Sequence, residues 1–362
     1  MSRPGVLQHV KRILAVEATS GVVLLSAATI AIVWANSPWA ADYARVFAGD
    51  VRFWIDDGLM AVFFFLAGLE IRREITGGEL ATWRRAAVPV IAAVGGMLVP
   101  AVIYAVINAG HDGAAGWAIP MATDIAFAVG ILALLGPRVP ANLRVLLLAL
   151  AVIDDLGAIV VIAAFYTGGV SMTGLAIAAG GIAIAVGLRV AKVGAFVAYL
   201  PAGVVMWIGL HHAGVHPALA GVVLAFVIAP SEGAIDRLHP WVAYGIMPLF
   251  ALANAGIAFG AAQLSGDGLR VFVGIVAGLA IGKPLGIVAA SAGLRGSSPG
   301  LRGLTLVGLV SGIGFTMSLF VAQLAFPPGP LLDTAKLAIL IGSATAMMLG
   351  LAYGAITHRR PA

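Results

Sequence analysis

The sequence predicts an all-α polytopic membrane protein with about twelve transmembrane helices, and its composition leads to this fold class. Hydrophobic residues make up 61% of the 362 residues, charged residues make up only 10%, and the mean hydropathy is +1.05. A soluble domain carries about 25% charged residues because water must solvate its surface. This chain has too few charges for that, so we expect its outer surface to face lipid.

Apolar runs of roughly 17–25 residues, the length that crosses a bilayer, mark the expected helices. No hydrophilic stretch is long enough for a soluble domain, so residues 1–362 are expected to form one membrane domain. The predicted spans lie near residues 13–35, 57–71, 86–108, 117–136, 143–166, 172–188, 194–210, 214–229, 242–260, 269–292, 301–325 and 334–356.

The basic residues predict the orientation of the chain. With twelve spans both termini lie on one side, and the loops of that side hold sixteen of the 21 Lys and Arg residues. The opposite loops hold four, and Lys283 lies inside a span. The positive-inside rule therefore places both termini in the cytoplasm. The net charge of +5 follows from this topology, so no nucleic-acid partner is expected.

Four charged residues lie deep inside predicted spans. They are Asp124, Asp154, Asp155 and Lys283. Each such group costs roughly 2.5–3.5 kcal/mol on insertion scales, so the four oppose insertion by about 10 kcal/mol if they are unpaired. They must therefore be paired, hydrated or neutralised.

Asp154 and Asp155 are adjacent in AVIDDLGAIV, with largely apolar residues on both sides. Neighbouring helix positions point about 100° apart, so the two carboxyl groups face different surroundings. One interpretation is structural, with one ion pair and one permanently protonated carboxyl group. The other is a site for a hard cation that competes with protons. Two close ionised carboxylates repel each other, and the binding of a proton or a cation relieves that repulsion.

The segment WAIPMATDIAFAVG predicts a helix interrupted inside the membrane. Pro120 lacks a backbone donor and disrupts the turn before it, while Thr123 and Asp124 are suited to cap a second half-helix. Freed backbone groups at such a break can line a cavity. The simpler alternative is a proline-kinked helix with a capping aspartate.

The segment GLVSGIGFTMSLF predicts a matching interruption in the eleventh span. Gly308, Gly312 and Gly314 weaken the helix, and we expect Ser311 and Thr316 to satisfy freed backbone groups. The two interruptions fall in the middle members of spans 3–5 and 10–12, as an inverted three-helix repeat requires.

Lys283 in LAIGKPLGI needs an anion at its depth, and the pair Asp154 and Asp155 supplies the expected partner. The alternative is a lysine that reaches the membrane surface. Opposed half-helices would bring like dipole ends together at the two breaks. We expect Asp124 to compensate the positive ends and Lys283 the negative ends.

At these residues the sequence resembles the NhaA family of bacterial sodium/proton antiporters. The resemblance extends over nearly the whole chain, in the segments FFFLAGLEIRRE, PMATDIAFAVG, AVIDDLGAIV, GVHPALAG, LHPWVAYGIMPLFALANAG, GKPLGI and SGIGFTMSLF. Inverted repeats are known in this family, so the repeat is not independent support. The resemblance implies a multi-pass protein of the bacterial inner membrane that exchanges sodium or lithium for protons.

The resemblance also implies roles for individual residues. Asp155 and Asp154 would form the ion site, with Asp155 as the direct sodium ligand and Asp154 as the partner of Lys283. Asp124 and Thr123 match the family's residues at the crossing of the interrupted helices. Asp57 in WIDDGLMAVFF also matches a family aspartate near the ion path.

Family pH sensing implies regulation by a cytoplasmic cluster and by histidines. The matching residues here are Glu70, Arg73, Glu74, His216 and His239. Histidine titrates near neutrality, which suits this role, although each residue taken alone is more often structural. In a well-known member a glutamate stands four positions before the second histidine, whereas this chain has Ile235 flanked by Glu232 and Asp236.

The loop from Asn36 to Asp56 is short. In well-known members it is longer and forms a β-hairpin that helps dimerisation. The resemblance implies a homodimer surrounded by membrane lipid, but this chain has fewer residues for the hairpin route.

The predicted mechanism is electrogenic alternating access at one site in the middle of the membrane. Sodium binds the ionised carboxylates from the cytoplasm, the loaded protein reorients, and external protons displace the ion. Two titrating groups against one monovalent ion would move net charge. Whether the second proton belongs to Asp154 or Lys283 stays open.

Other classes explain the sequence less well. An intramembrane aspartyl protease needs aspartates on separate helices, and the sequence has no GxGD motif. A retinal-type pump has seven helices rather than about twelve. The nearest alternative is a sodium-coupled symporter of an organic solute. The chain has no cysteine, which excludes thiolate metal sites and cysteine nucleophiles, and we expect neither enzyme activity nor a cofactor beyond the transported sodium, lithium and protons.

Overall fold

The computed structural model describes residues 4–228, 232–293 and 300–357, and every regular element in these ranges is a helix. The first half contains α1 Pro4–Ala35, α2 Ala40–Val46, α3 Gly49–Phe53, α4 Met60–Gly77, α5 Trp83–Asn108, α6 Ile125–Leu134, α7 Ala141–Phe165 and α8 Met172–Val190. The second half contains α9 Leu200–Ala213, α10 Leu219–Val227, α11 Glu232–Trp241, α12 Met247–Asn254, α13 Gly266–Ala277, α14 Lys283–Ser291, α15 Gly300–Ser311, α16 Phe315–Ala325 and α17 Pro330–Thr357.

Shorter helical segments of other types connect these elements. The π-helical segments Trp54–Leu59, Val242–Ile246 and Gly278–Gly282 join α3 to α4, α11 to α12 and α13 to α14. The 3-10 helices are Asp112–Met121, Gly136–Arg138 and Phe196–Tyr199. Each π segment continues directly into the next α-helix, so each of these pairs forms one unbroken helical stretch.

Within the described residues, six helical runs are long and apolar enough to cross a membrane, or eight if each of two bent helix pairs counts as one span. The predicted all-α polytopic membrane fold is therefore confirmed. The other predicted spans are shorter or more charged: α10 has nine residues, and α4 carries Glu70, Arg72, Arg73 and Glu74. The total of twelve spans stays a prediction.

Two prolines determine the backbone next to the site. Pro248 and Pro284 follow the π segments at the starts of α12 and α14. A proline ring clashes with the carbonyl group four residues earlier and donates no hydrogen bond. The clash falls within the preceding π segment in both cases, where the helix is wider. As a result, Lys283 stands immediately after a widened turn.

Both predicted interruptions are present. The 3-10 helix Asp112–Met121 meets α6 at 46°, and α15 meets α16 at 52°. Between the first pair the backbone of Ala122 is extended (φ −72°, ψ 149°), so the alternative of a merely kinked helix is wrong. The structure differs from a symmetric pair of breaks, because the half-helix before the first break is 3-10 rather than α.

The short external segment is helical. The helices α2 and α3 lie within residues 36–53, joined by turns, and this part of the structure contains no β-hairpin. The Tyr43 hydroxyl group donates to the carbonyl oxygen of Leu252 at 2.8 Å, and its oxygen accepts from the backbone N–H of Gly256 at 3.2 Å. The segment therefore packs against the end of α12 within the same chain.

The helices α5 and α14 touch through glycines. A Cβ atom at Gly286 would clash with the carbonyl oxygen of Gly95, and one at Gly95 would clash with that of Gly286. Such backbone approach is typical of helix packing in lipid, where small residues form the interface. This contact fixes the position of α14, which begins with Lys283.

We expect Gly286→Ala to lower the melting temperature of the purified protein, because the added methyl group would push two backbones apart at a cost of about 1–3 kcal/mol. The matched control is Gly180→Ala in α8, where nothing lies within 4 Å of an added Cβ atom. Thermal unfolding in detergent compares the two variants. Equal melting temperatures would contradict the close packing of α5 against α14.

Candidate ion-binding site at the crossing of two interrupted helices

The two interruptions meet through the backbone. The N–H group of Asp124 donates to the carbonyl oxygen of Ile313 at 2.7 Å, which joins the first break to the second. Thr123 and Asp124 are each only 1% exposed. Four half-helix ends therefore meet in the buried interior, and their unpaired backbone groups and dipoles must be satisfied there.

Asp124 satisfies two positive helix ends at once. One carboxylate oxygen accepts from the backbone N–H of Phe127 in α6 at 3.2 Å. The other accepts from the backbone N–H of Thr316 in α16 at 3.1 Å and also from the Thr316 hydroxyl group. Since negative charge stabilises helix N-termini, the predicted compensation by Asp124 is confirmed.

Lys283 and Thr123 satisfy the opposite ends. The Lys283 ammonium group donates to the carbonyl oxygen of Met121, at the end of the 3-10 helix. The Thr123 hydroxyl oxygen lies 3.0 Å from the carbonyl oxygen of Ser311, at the end of α15. The prediction for Lys283 is therefore confirmed for one break, whereas the side chain at the other break is Thr123.

Lys283 and Asp154 form a buried ion pair. Lys283 Nζ lies 2.9 Å from Asp154 Oδ2, and the two side chains are 0% and 1% exposed. The alternative of a lysine that reaches the membrane surface is therefore wrong. The Thr123 hydroxyl group also contacts Asp154 Oδ2, at 2.6 Å. Asp154 Oδ1 has no hydrogen-bond partner among the described residues.

Asp155 faces a cavity instead. The cavity has a volume of about 70 Å³, and its polar lining consists of Glu70, Thr123, Asp124, Asp155 and His239. The adjacent aspartates thus have separate surroundings, as their angular separation on α7 predicts. Asp154 is held by a cation of the protein, whereas Asp155 borders space that an ion or water can enter.

The proposed regulatory residues do not form one cluster. Glu70 and His239 line the cavity, but Glu74 accepts from the backbone N–H of Glu79 at 2.9 Å, near the end of α4. His216 lies outside the cavity lining, with Nε2 3.1 Å from Asp57 Oδ1. Two of the predicted residues therefore border the cavity next to Asp155, and His216 forms a separate pair with Asp57.

The remaining residues of this set have simpler environments. Arg73 is partly buried, and His216 packs edge-on against Phe320 with ring centroids 5.0 Å apart. Ile235, at the position of the family glutamate, is 4% exposed, and Asp236 is exposed. The side chain of Glu232 lies outside the described residues. An apolar side chain therefore fills the position at which the well-known member has a glutamate.

The roles expected for Ser311 and Thr316 are wrong in detail. The Thr316 hydroxyl group donates to Asp124 rather than to a freed backbone group. The Ser311 hydroxyl group has no partner among the described residues. The backbone groups of Ile313 and Met121 complete the site, and the sequence could not identify them because every residue carries the same backbone groups.

Comparisons with known proteins agree with the resemblance. Residues 11–353 match the family described as "Na+/H+ antiporter 1". The "Na(+)/H(+) antiporter NhaA 2" of Sorangium cellulosum is 46% identical over 98% of this chain and 91% of that protein. The "Na(+)/H(+) antiporter NhaA" of Bordetella petrii is 43% identical over 97% and 91%, and that of Bartonella tribocorum is 41% identical over 98% and 94%.

We expect Lys283→Ala to destabilise the protein by about 3–5 kcal/mol, because it leaves the buried Asp154 carboxylate without its cation. The measurement is the thermal unfolding of the purified variant. The double variant Asp154→Asn/Lys283→Met serves as the control, since removing both charges should restore much of the stability. An unchanged melting temperature for Lys283→Ala would rule out the ion pair.

Proposed function

Because this chain belongs to the Na⁺/H⁺ antiporter family, we propose that it exports sodium or lithium in exchange for protons across the bacterial inner membrane. The observation that carries the site assignment is the pair of adjacent aspartates, one bound to Lys283 and one on a cavity. Exchange of sodium for protons needs a carboxylate that can bind either ion. Such a carboxylate cannot be paired permanently with a cation of the protein, and Asp155 on the cavity meets this condition.

Competition for the same oxygens couples the two ions. Sodium is a hard cation that prefers oxygen ligands, and the ionised Asp155 carboxylate on the cavity offers them. A proton on that carboxyl group removes its negative charge and releases the ion. Sodium and a proton therefore cannot occupy the site together, and exchange follows when the site opens alternately to the two sides.

We propose that transport moves net charge. Asp155 exchanges one proton for sodium, and the ion pair of Asp154 with Lys283 supplies a second titrating site. Its proton belongs to the pair rather than to either residue alone. One elementary charge that crosses 100 mV is worth about 2.3 kcal/mol, so the membrane potential could drive sodium export.

The proposed architecture has twelve spans with both termini in the cytoplasm. The distribution of the 21 basic residues supports this topology. The bond from Asp124 to Ile313, which joins the breaks of spans 4 and 11, supports inverted repeats over spans 3–5 and 10–12. Glu70 and His239 line the cavity beside Asp155, which makes them the best-placed candidates for pH regulation.

Asp155→Asn is expected to abolish sodium-dependent proton flux, because an amide cannot carry the charge that binds sodium or the proton that replaces it. Proteoliposomes with an imposed pH gradient, tested in turn with sodium, lithium and potassium, provide the measurement. Asp112→Asn is the matched control, since Asp112 is exposed and lies outside the cavity lining. Flux at the native rate in folded Asp155→Asn would overturn the site assignment.

The absence of native cysteines makes the topology directly testable. We expect a cysteine at Gly260 to react with a membrane-impermeant maleimide added to intact cells, and a cysteine at Thr82 to react only after the membrane is opened. Both positions are exposed loop residues. The reverse labelling pattern would show that the termini are outside.

A further inference from the structure

Ser291 and Ser311 carry buried hydroxyl groups without a hydrogen-bond partner among the described residues, and of the two only Ser311 lies on an interrupted helix. Ser311 is fully buried, at 0% exposure, and its Oγ has no hydrogen-bond partner among the described residues. Elsewhere Ser26, Thr305 and Thr345 donate to the carbonyl oxygen four residues earlier, at 2.8–2.9 Å. A buried hydroxyl group without a partner costs about 1–3 kcal/mol, and a bound ligand would offset that cost.

Ser311 lies next to the ion site. Its carbonyl oxygen is 3.0 Å from the Thr123 hydroxyl oxygen, which is itself 2.6 Å from Asp154 Oδ2. Thr123 lines the cavity together with Asp155. The backbone of Ser311 is therefore connected through Thr123 to Asp154, and Thr123 also borders the cavity of Asp155.

The hydrogen bonds around Thr123 leave oxygen atoms unsatisfied. A hydroxyl group donates only one hydrogen, so Thr123 cannot donate to Asp154 and to Ser311 at the same time. Asp154 Oδ1 and Ser311 Oγ also lack partners among the described residues. Asp154 Oδ2 and the Ser311 carbonyl oxygen thus compete for one hydrogen, and each of these two residues has a further oxygen without a partner among the described residues. Oxygen atoms are the ligands that a hard cation prefers.

We propose that the Ser311 hydroxyl oxygen is a further ligand of the transported sodium ion, beside Thr123 and the two aspartates. This inference rests on the proposed function, because it adds a ligand to that site. A hydroxyl group suits the task since it offers oxygen without adding charge. The ion can therefore gain a ligand while the proton balance of the two aspartates stays the same.

The test compares three variants in proteoliposomes. Ser311→Ala removes the hydroxyl group, and Ser311→Cys keeps the size of the side chain but replaces a hard oxygen with soft sulfur, a poor sodium ligand. Both should raise the sodium concentration for half-maximal flux about tenfold. Ser291→Ala is the matched control, because Ser291 is equally buried and its hydroxyl group also lacks a partner among the described residues.

A second measurement separates ligation from packing. In sodium-free buffer Ser311→Ala should melt no lower than the native protein, since the change removes an unsatisfied group. The sodium concentration needed to raise the melting temperature should nevertheless increase about tenfold. A lower melting temperature with unchanged sodium dependence would show that Ser311 has only a structural role.

The possible failures are distinct. Native sodium dependence in both Ser311 variants, with Asp155→Asn inactive, would overturn the role of Ser311 and leave the antiport site intact. Native flux in Asp155→Asn would instead overturn the site on which the inference rests. If Ser311→Ala does not fold, Ser311→Cys decides the question, because its side chain has nearly the native volume.

Discussion

The site depends on the contact between Asp124 and the opposite break. Its backbone binds Ile313, and its carboxylate group binds the starts of both α6 and α16. One residue therefore neutralises two like dipole ends that would otherwise repel each other. Without that charge the two half-helices could not end so close together inside the protein, and the oxygens of the site would not converge.

The same crossing explains why adjacent aspartates differ in character. Lys283 binds both Asp154 and the carbonyl oxygen at the end of one half-helix, so its position is fixed relative to the break. Asp155, one position further along α7, borders the cavity instead. The protein thus keeps one carboxyl group in a fixed pair and leaves the other accessible, which is what exchange of two small cations requires.

The sequence predicted those parts of the site in which a residue would be costly to bury or to place in a helix without a compensating partner. A buried lysine needs an anion, so a pair of Lys283 with Asp154 or Asp155 follows from depth, and the family resemblance implied Asp154. Pro120 marked the first break because it cannot donate a hydrogen bond. The sequence did not predict the unpaired hydroxyl group of Ser311, nor the helical form of residues 36–53. These features depend on which neighbours the fold brings close, and a single serine or a short polar loop has no periodic pattern that reveals them.

The glycine contact between α5 and α14 limits how the protein can move. The backbones of Gly95 and Gly286 touch, and Ala290 and Val99 flank the same contact, so the two helices cannot approach each other any more closely. Because Lys283 begins α14, we expect a movement of the lysine toward α5 to displace α5 as well.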